Sequence, residues 1–304
     1  MENIQRISYQ GSEKTRLDKV LVANILDYSR TYLQERIQFA HVKVNGIVTS
    51  KSSHIVKYGD EIEVFFPEEP SLELVPQKIN FEVIFEHEDF IIINKPAGLL
   101  VHRASSSSDE KTLSDGLVYS FKELGSFEDK ERPGIVHRLD KLTSGLMVIA
   151  RNIKSKAKIS QMFKDRKIEK TYLAIVEGHP PREGSIDFPI GRDRIHRHKM
   201  SHKGMESRAA LSHYKVLAYY DATSLVAVRI VTGRTHQIRV HFAAIGHSLV
   251  GDVVYGKSSK LIDRQSLHSW NLSFEYGNKL HKFSCPMPED LKNLILKIKT
   301  QKHN

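Results

Sequence analysis

The sequence predicts an α+β protein in two parts: a small N-terminal α/β unit, then a larger domain on a mixed, mostly antiparallel sheet. Three observations carry this. Residues 15–66 show two short helical patterns followed by strand signals. Residues 67–80 hold Pro67, Pro70 and Pro76, a break in texture that reads as a linker. From residue 81 to 304, apolar runs of strand length outnumber helical patterns. The expected boundaries are therefore 1–66, 67–80 and 81–304.

The elements follow in order. Thr15 is placed to cap a helix carrying Leu17, Val20, Leu21 and Ile25 on one face. Ser29 is placed to cap a second, with Leu33, Ile37 and Ala40. Asn45-Gly46 between β-branched flanks is a two-residue hairpin signal. Lys57–Asp60 reads as a turn, and Glu61–Val64 alternates like a strand. In the larger part, Phe90–Asn94, Ser144–Arg151, Lys170–Glu177 and Ser224–Thr232 read as strands. Helices are expected over Ile153–Arg166, Thr235–Ile245 and Glu289–Ile298, and Ser105–Ser108 reads as a loop tip.

Composition narrows the function. Lys plus Arg is 46 against 36 for Asp plus Glu, a net charge of +10, which points to a polyanionic partner such as nucleic acid. A single cysteine, Cys285, excludes a disulfide framework and a zinc–cysteine cluster and fits a reducing cytosol. The first residues lack an apolar core, so no signal peptide is expected, and no apolar run reaches the ~20 residues of a membrane span. Gly251–Ser258 matches the phosphate-loop pattern G-x-x-x-x-G-K-S. Its interior is bulky Val-Val-Tyr, a helical pattern precedes it, and fewer than fifty residues follow, so the match is read as chance. No H-E-x-x-H, G-x-G-x-x-G or G-x-S-x-G occurs. The histidines of Arg194–Lys199 stand among cations that would repel a metal ion.

The small unit carries Thr15-Arg16-Leu17-Asp18-Lys19, Ser29-Arg30, Val42-Lys43-Val44-Asn45-Gly46 and Tyr58-Gly59-Asp60. In that order and spacing these residues resemble the S4 RNA-binding domain. The resemblance implies RNA contacts by Arg16, Arg30 and Lys43.

In the larger part, four segments place charged residues beside apolar strands: Asn94–His102, Gly134–Arg151, Lys170–Ala174 and Thr232–His241. Together, with His137-Arg138-Leu139-Asp140 followed by Thr143-Ser144-Gly145-Leu146 as the most specific stretch, they resemble the pseudouridine synthases of the RluA/RluD type. The resemblance implies the pseudouridine synthase fold and a cofactor-free, metal-free isomerisation of uridine in structured RNA, with large-subunit ribosomal RNA favoured. It assigns the reacting carboxylate to Asp140, the active-site tyrosine to Tyr172, and the carboxylate's partner to Arg239, with Arg234 as second choice. A carboxylate deprived of water favours its neutral acid, and an adjacent guanidinium restores the anion. Arg138 is expected to help the base leave its stack. His236 is expected at the substrate, and Leu146 and Ile238 as the apolar wall of a uracil pocket. The basic stretch 182–208, with Arg192, Arg194 and Arg197, is expected to be a mobile loop or hairpin that clamps an RNA stem. The protein is expected to be a cytoplasmic monomer with RNA as partner and no nucleotide cofactor. The competing expectation is a non-catalytic RNA-binding ribosome-assembly factor.

Overall fold

The computed structural model describes residues 3–25, 28, 30–67, 74–103, 110–127, 129, 131–196 and 199–300. The chain divides into two compact units, Met1–Ser71 and Leu72–Asn304.

The first unit runs β1 (Asn3–Ser8), β2 (Thr15–Arg16), α1 (Leu17–Asn24), α2 (Arg30–Gln38), β3 (Val42–Val44), β4 (Ile47–Val48), β5 (Ile55–Val56) and β6 (Glu61–Phe66). Its main sheet has the order β1-β6-β3-β4 and is antiparallel throughout. Leu17, Val20, Leu21, Leu33 and Ile37 are fully buried against Val42, Ile62 and Val64. Asn45 and Gly46 both take positive φ, 50° and 77°, as a primed hairpin turn requires. Two expectations fail here. Thr15 does not cap α1, because Thr15–Arg16 pairs with Ile55–Val56 and Arg16 occupies the cap position. Ala40 is not on α2; it lies beyond the helix in the left-handed region and is exposed. The proposed cap Ser29 lies outside the described residues, as do Ser105–Ser108 and residues 68–73 of the expected linker.

The second unit continues with β7 (Glu82–Glu86), β8 (Phe90–Lys95), α3 (Leu113–Ser120), β9 (Ser144–Ala150), α4 (Ile153–Lys164), β10 (Glu169–Glu177), β11 (Glu183–Ile186), β12 (Ile190–Arg192), β13 (Met200–Ser201), β14 (Met205–Arg208), β15 (Ser212–Tyr219), β16 (Thr223–Ile230), α5 (Gln237–Ala244), β17 (Leu267–Tyr276), β18 (Lys279–Ser284) and α6 (Glu289–Thr300). Residues just before β7 are tied to this unit: the Val75 N–H donates to Asp115 at the start of α3.

A nine-stranded sheet orders β11-β15-β16-β10-β17-β9-β8-β7, with β18 also on β17. Every pairing is antiparallel except β17 with β9, which makes the sheet mixed. The close approach of β9 to β17 requires Gly145. Its φ is +115°, and a Cβ there would sit 2.3 Å from the Ser269 carbonyl oxygen. The period of two along β9 divides two cores. Met147 and Ile149 face α3 and α5, with Leu117 and Phe242, while Leu146, Val148 and Ala150 face α4, with Ile159 and Met162. The site lies on the α3/α5 face. Among the described residues, no helix is long and apolar enough to cross a membrane.

Candidate active site

Asp140 sits on the turn that feeds β9, and three hydrogen bonds fix that turn. The Thr143 N–H donates to the Asp140 carbonyl at 3.0 Å. The Lys141 carbonyl accepts from the Gly98 N–H at 2.9 Å and from Lys95 Nζ at 3.1 Å. Lys95 is fully buried and also donates to the Pro96 and Leu99 carbonyls. Burial, with the Arg264 charge beside it, lowers Lys95 to about 7, while three carbonyls together match the three donors of its ammonium form. Lys141 itself pairs with Glu110 at the surface.

The opposing wall is the start of α5. Gln237 takes the place of a capping residue for the loop before it. Its Oε1 accepts from Thr232 Oγ1 and the Arg234 N–H, and its Nε2 donates to the Leu211 carbonyl and Ser212 Oγ. This holds His236 at φ 57°, a left-handed conformation that costs a non-glycine residue energy. His236 Nδ1 meets the Tyr255 hydroxyl at 2.7 Å, and its Nε2 lies 3.8 Å from Asp140 Oδ2. Burial lowers the His236 pKa, against the pull of Asp140, so the imidazole is neutral at pH 7.

One turn into α5, Arg239 reaches two carboxylates. Nε and Nη2 donate to Asp252 at 2.7 and 2.9 Å, and Nη1 donates to Asp140 Oδ2 at 3.1 Å. Its guanidinium also lies over the Tyr255 ring, 5.0 Å from the centroid. Asp252 is fully buried, and burial alone would raise its pKa. The Arg239 bonds and charge, with the Val254 and Tyr255 N–H groups, bring it below the usual range. Asp140 is more open, with 22% of its side chain exposed. The result is an ion triad with a closed end at Asp252 and an accessible end at Asp140.

Tyr172 on β10 forms another side of the cavity, which has a volume of about 140 Å³. Burial raises its phenol well above the ordinary value, against a hydrogen bond with the Ser269 side chain. Ile238, Leu139 and Leu267 give apolar lining, and Arg138 and Arg234 stand at the rim.

The structure thus gathers Asp140, Tyr172, Arg239, His236, Ile238, Arg138 and Arg234 around one cavity. One assignment needs correction. Leu146 is buried on the α4 face of β9, because its even step along the strand turns it away from the site. Of the two candidates for the partner of Asp140, the first choice, Arg239, makes the bond, and the second, Arg234, gives its Nε to the Ala209 carbonyl. The stretch 182–208 forms β11 and a small sheet, β13-β12-β14, carrying the exposed Arg192, with Arg194 just after it. Arg197 lies outside the described residues. This sheet is anchored to the site through Tyr255, whose hydroxyl accepts from the Met200 N–H at 2.8 Å.

In the first unit, Arg16 pairs with Asp18 at 2.9 Å and Arg30 lies 3.6 Å from it, yet both remain about half exposed or more. Lys43 is exposed on β3.

Sequence reasoning assigned no role to Asp252, Lys95, Gln237 or Tyr255. The missed signal at Asp252 was a lone carboxylate in the apolar run Leu249–Tyr255, which needs a buried cation. The same residue dissolves the phosphate-loop match. Asp252 consumes the Val254 and Tyr255 N–H groups that a phosphate would need, and turns rather than a helix follow. Among the described residues, one group, His87, Glu88 and Asp89, has metal-ligand types within reach of one another, and there the Asp89 carboxylate accepts from Asn152.

Known proteins share this chain's pattern. A family model described as RNA pseudouridylate synthase matches residues 89–244, and an S4 domain model matches residues 15–62. An uncharacterized RNA pseudouridine synthase of Aquifex aeolicus (strain VF5) is 40% identical over 258 residues, 84% of this chain and 81% of that protein. Ribosomal large subunit pseudouridine synthase D of Zymomonas mobilis subsp. mobilis is 36% identical, with 92% of each chain covered. The solved structure of "Human RNA Pseudouridylate Synthase Domain Containing 1" matches with a TM-score of 0.55 at 27% identity, over 76% of this chain and 97% of that one.

Proposed function

The chain belongs to the RNA pseudouridylate synthase family, and we propose that it converts uridine to pseudouridine in structured RNA, with Asp140 as the reacting carboxylate. Large-subunit ribosomal RNA is the proposed substrate, in line with the name of the Zymomonas relative. One observation carries the assignment: among the described residues, Asp140 is the only carboxylate lining the cavity.

The reaction breaks the N1–C1′ bond, turns the base and joins C5 to C1′. The C5 proton is lost and N1 gains one, so the product is an isomer and no redox partner is consumed. Asp140 serves as nucleophile or base, with Oδ2 held by Arg239 and Oδ1 without a protein partner among the described residues. Arg239 holds and orients the carboxylate, and Asp252 keeps Arg239 in place. The Tyr172 ring offers a stacking face, and its protonated phenol is a donor rather than a base. Asp140 and Tyr172 line a recess in the protein, so a base that reacts there must leave its helix, with the exposed Arg138 beside it to hold the opened strand. An intact constellation of this kind speaks against a purely non-catalytic assembly factor.

Mapping pseudouridines in RNA from cells with and without this protein tests the reading. Loss of at least one ribosomal pseudouridine, restored by wild-type protein and not by Asp140→Asn, is expected. An unchanged map, or restoration by Asp140→Asn, overturns it.

A further inference from the structure

A second cavity, of about 390 Å³, adjoins the first and shares Arg138, Tyr172 and Arg234 with it. It lies between the end of α4, the start of β10 and the loop after β16. Its lining contributes five cations, Arg138, Lys164, Arg166, Lys170 and Arg234, and no carboxylate. Lys170 is the unusual member. It is only 7% exposed, yet its ammonium has no hydrogen bond or ion pair among the described residues, only the face of Phe163 at 5.0 Å. Burial lowers it to about 8, still cationic at neutral pH. The end of α4 does not account for it either. The Gln161, Met162 and Phe163 carbonyls already accept from the Asp165, Lys167 and Arg166 N–H groups. The side chain is buried while its ammonium opens into the cavity, so the cation faces whatever occupies that space, with no acid of the lining to pair with it.

We propose that this cavity is a phosphate subsite, in which Lys170 receives the RNA backbone phosphate next to the nucleotide held against Tyr172. The spacing fits. Lys170 and Tyr172 are two residues apart on β10, in unbroken register with Ile230 and Val228 of β16, so they share a face about 6.6 Å apart, the reach of one nucleotide unit. Arg166, at φ 59° just beyond α4, and the exposed Lys164 border the same opening. The subsite rests on the proposed RNA-modifying activity for its ligand, and it adds a fixed register for the strand on one side of the reacting base.

The test compares wild-type protein, Lys170→Met and Lys164→Gln on an in vitro transcript of bacterial large-subunit ribosomal RNA. Binding is measured across salt concentrations and pseudouridine formation under single turnover at saturating RNA. Lys170→Met is expected to bind roughly 10-fold more weakly, with a log–log salt slope shallower by about 0.7–0.9. Its rate at saturation stays within a few-fold, and its melting temperature is equal or higher, because no hydrogen bond or ion pair of the ammonium is lost. Lys164→Gln, at an exposed helix end, shows the same direction in smaller measure and carries the test if Lys170→Met does not fold. Unchanged affinity and salt slope in both variants overturn the subsite. So does normal affinity with a slower saturated rate, which would make Lys170 a support for Tyr172. Wild-type protein that forms no pseudouridine yet shows the Lys170-dependent slope would sink the activity reading and leave the subsite standing.

Discussion

Arg239 gives two of its donors to Asp252 and one to Asp140, so a single guanidinium serves a buried structural carboxylate and an accessible one in the cavity. The two acids should therefore respond oppositely to amidation. Asp252→Asn leaves Arg239 buried with its main partner neutralised and should cost about 3–5 kcal/mol of stability, the usual penalty for breaking a buried pair. Asp140→Asn leaves the Asp252 pair intact and should cost less than about 1 kcal/mol, while lowering turnover by at least ~10²–10⁴-fold. Denaturant melts beside single-turnover assays check both. Equal destabilisation of the two variants would show that Asp140 shares the structural role.

Tyr172 separates ring from hydroxyl. Its buried phenol is held protonated, so it cannot take a proton at neutral pH. Tyr172→Phe keeps the stacking face and should retain turnover within about 10-fold, whereas Tyr172→Ala should lose ~10²-fold or more, in line with a base held by aromatic stacking. A Phe variant as slow as the Ala variant would make the hydroxyl the working group.

Gly145 tests the seam between β9 and β17 behind Asp140. A methyl there meets the Ser269 carbonyl at 2.3 Å at a φ that L side chains rarely adopt. Gly145→Ala should cost about 2–5 kcal/mol through strain and overpacking. Circular dichroism melts would report this, and a melt indistinguishable from wild type would show that the parallel pairing can relax.

Acid should unfold the protein partly through two histidines. Burial, with the Lys170 charge, lowers His137 to about 3, and its Nε2 accepts from the Val148 N–H. Burial, with the Arg132 and Arg138 charges, lowers His102 to about 4. The unfolded chain takes up these protons near pH 6.5 and the native state refuses them. Their contribution is therefore fully present above about 6.5 and is lost as pH falls toward 3–4. Stability should fall in that window with a slope of up to about two protons from this pair, and His137→Gln should remove about one of them. Urea titrations at stepped pH read the slope directly.

Features whose cause is local are legible in the chain alone. Asn45-Gly46 makes a hairpin because both residues tolerate positive φ. The apolar runs of β8, β9 and β10 are legible because strands buried on both faces carry little polar alternation, and β16 is legible because its burial alternates, with Arg229 exposed between buried Val228 and Ile230. The family resemblance of Asp140, Tyr172 and Arg239 likewise lay in contiguous motifs. Tertiary structure decided what depends on partners far apart in the chain. Short strands such as β7, β12 and β13 give too few residues for a periodic signal, and only their sheet neighbours fix them. Leu146 and Met147 are equally apolar, and only the pleat of β9 against two different helices says which faces the site. Asp252 lies 13 residues from Arg239, and Arg239 lies 99 residues from Asp140. No local pattern links them. The charge balance of the triad exists only once burial removes the water that would otherwise solvate each group alone, and the cation cluster around Lys170 exists only once α4, β10 and the loop after β16 meet.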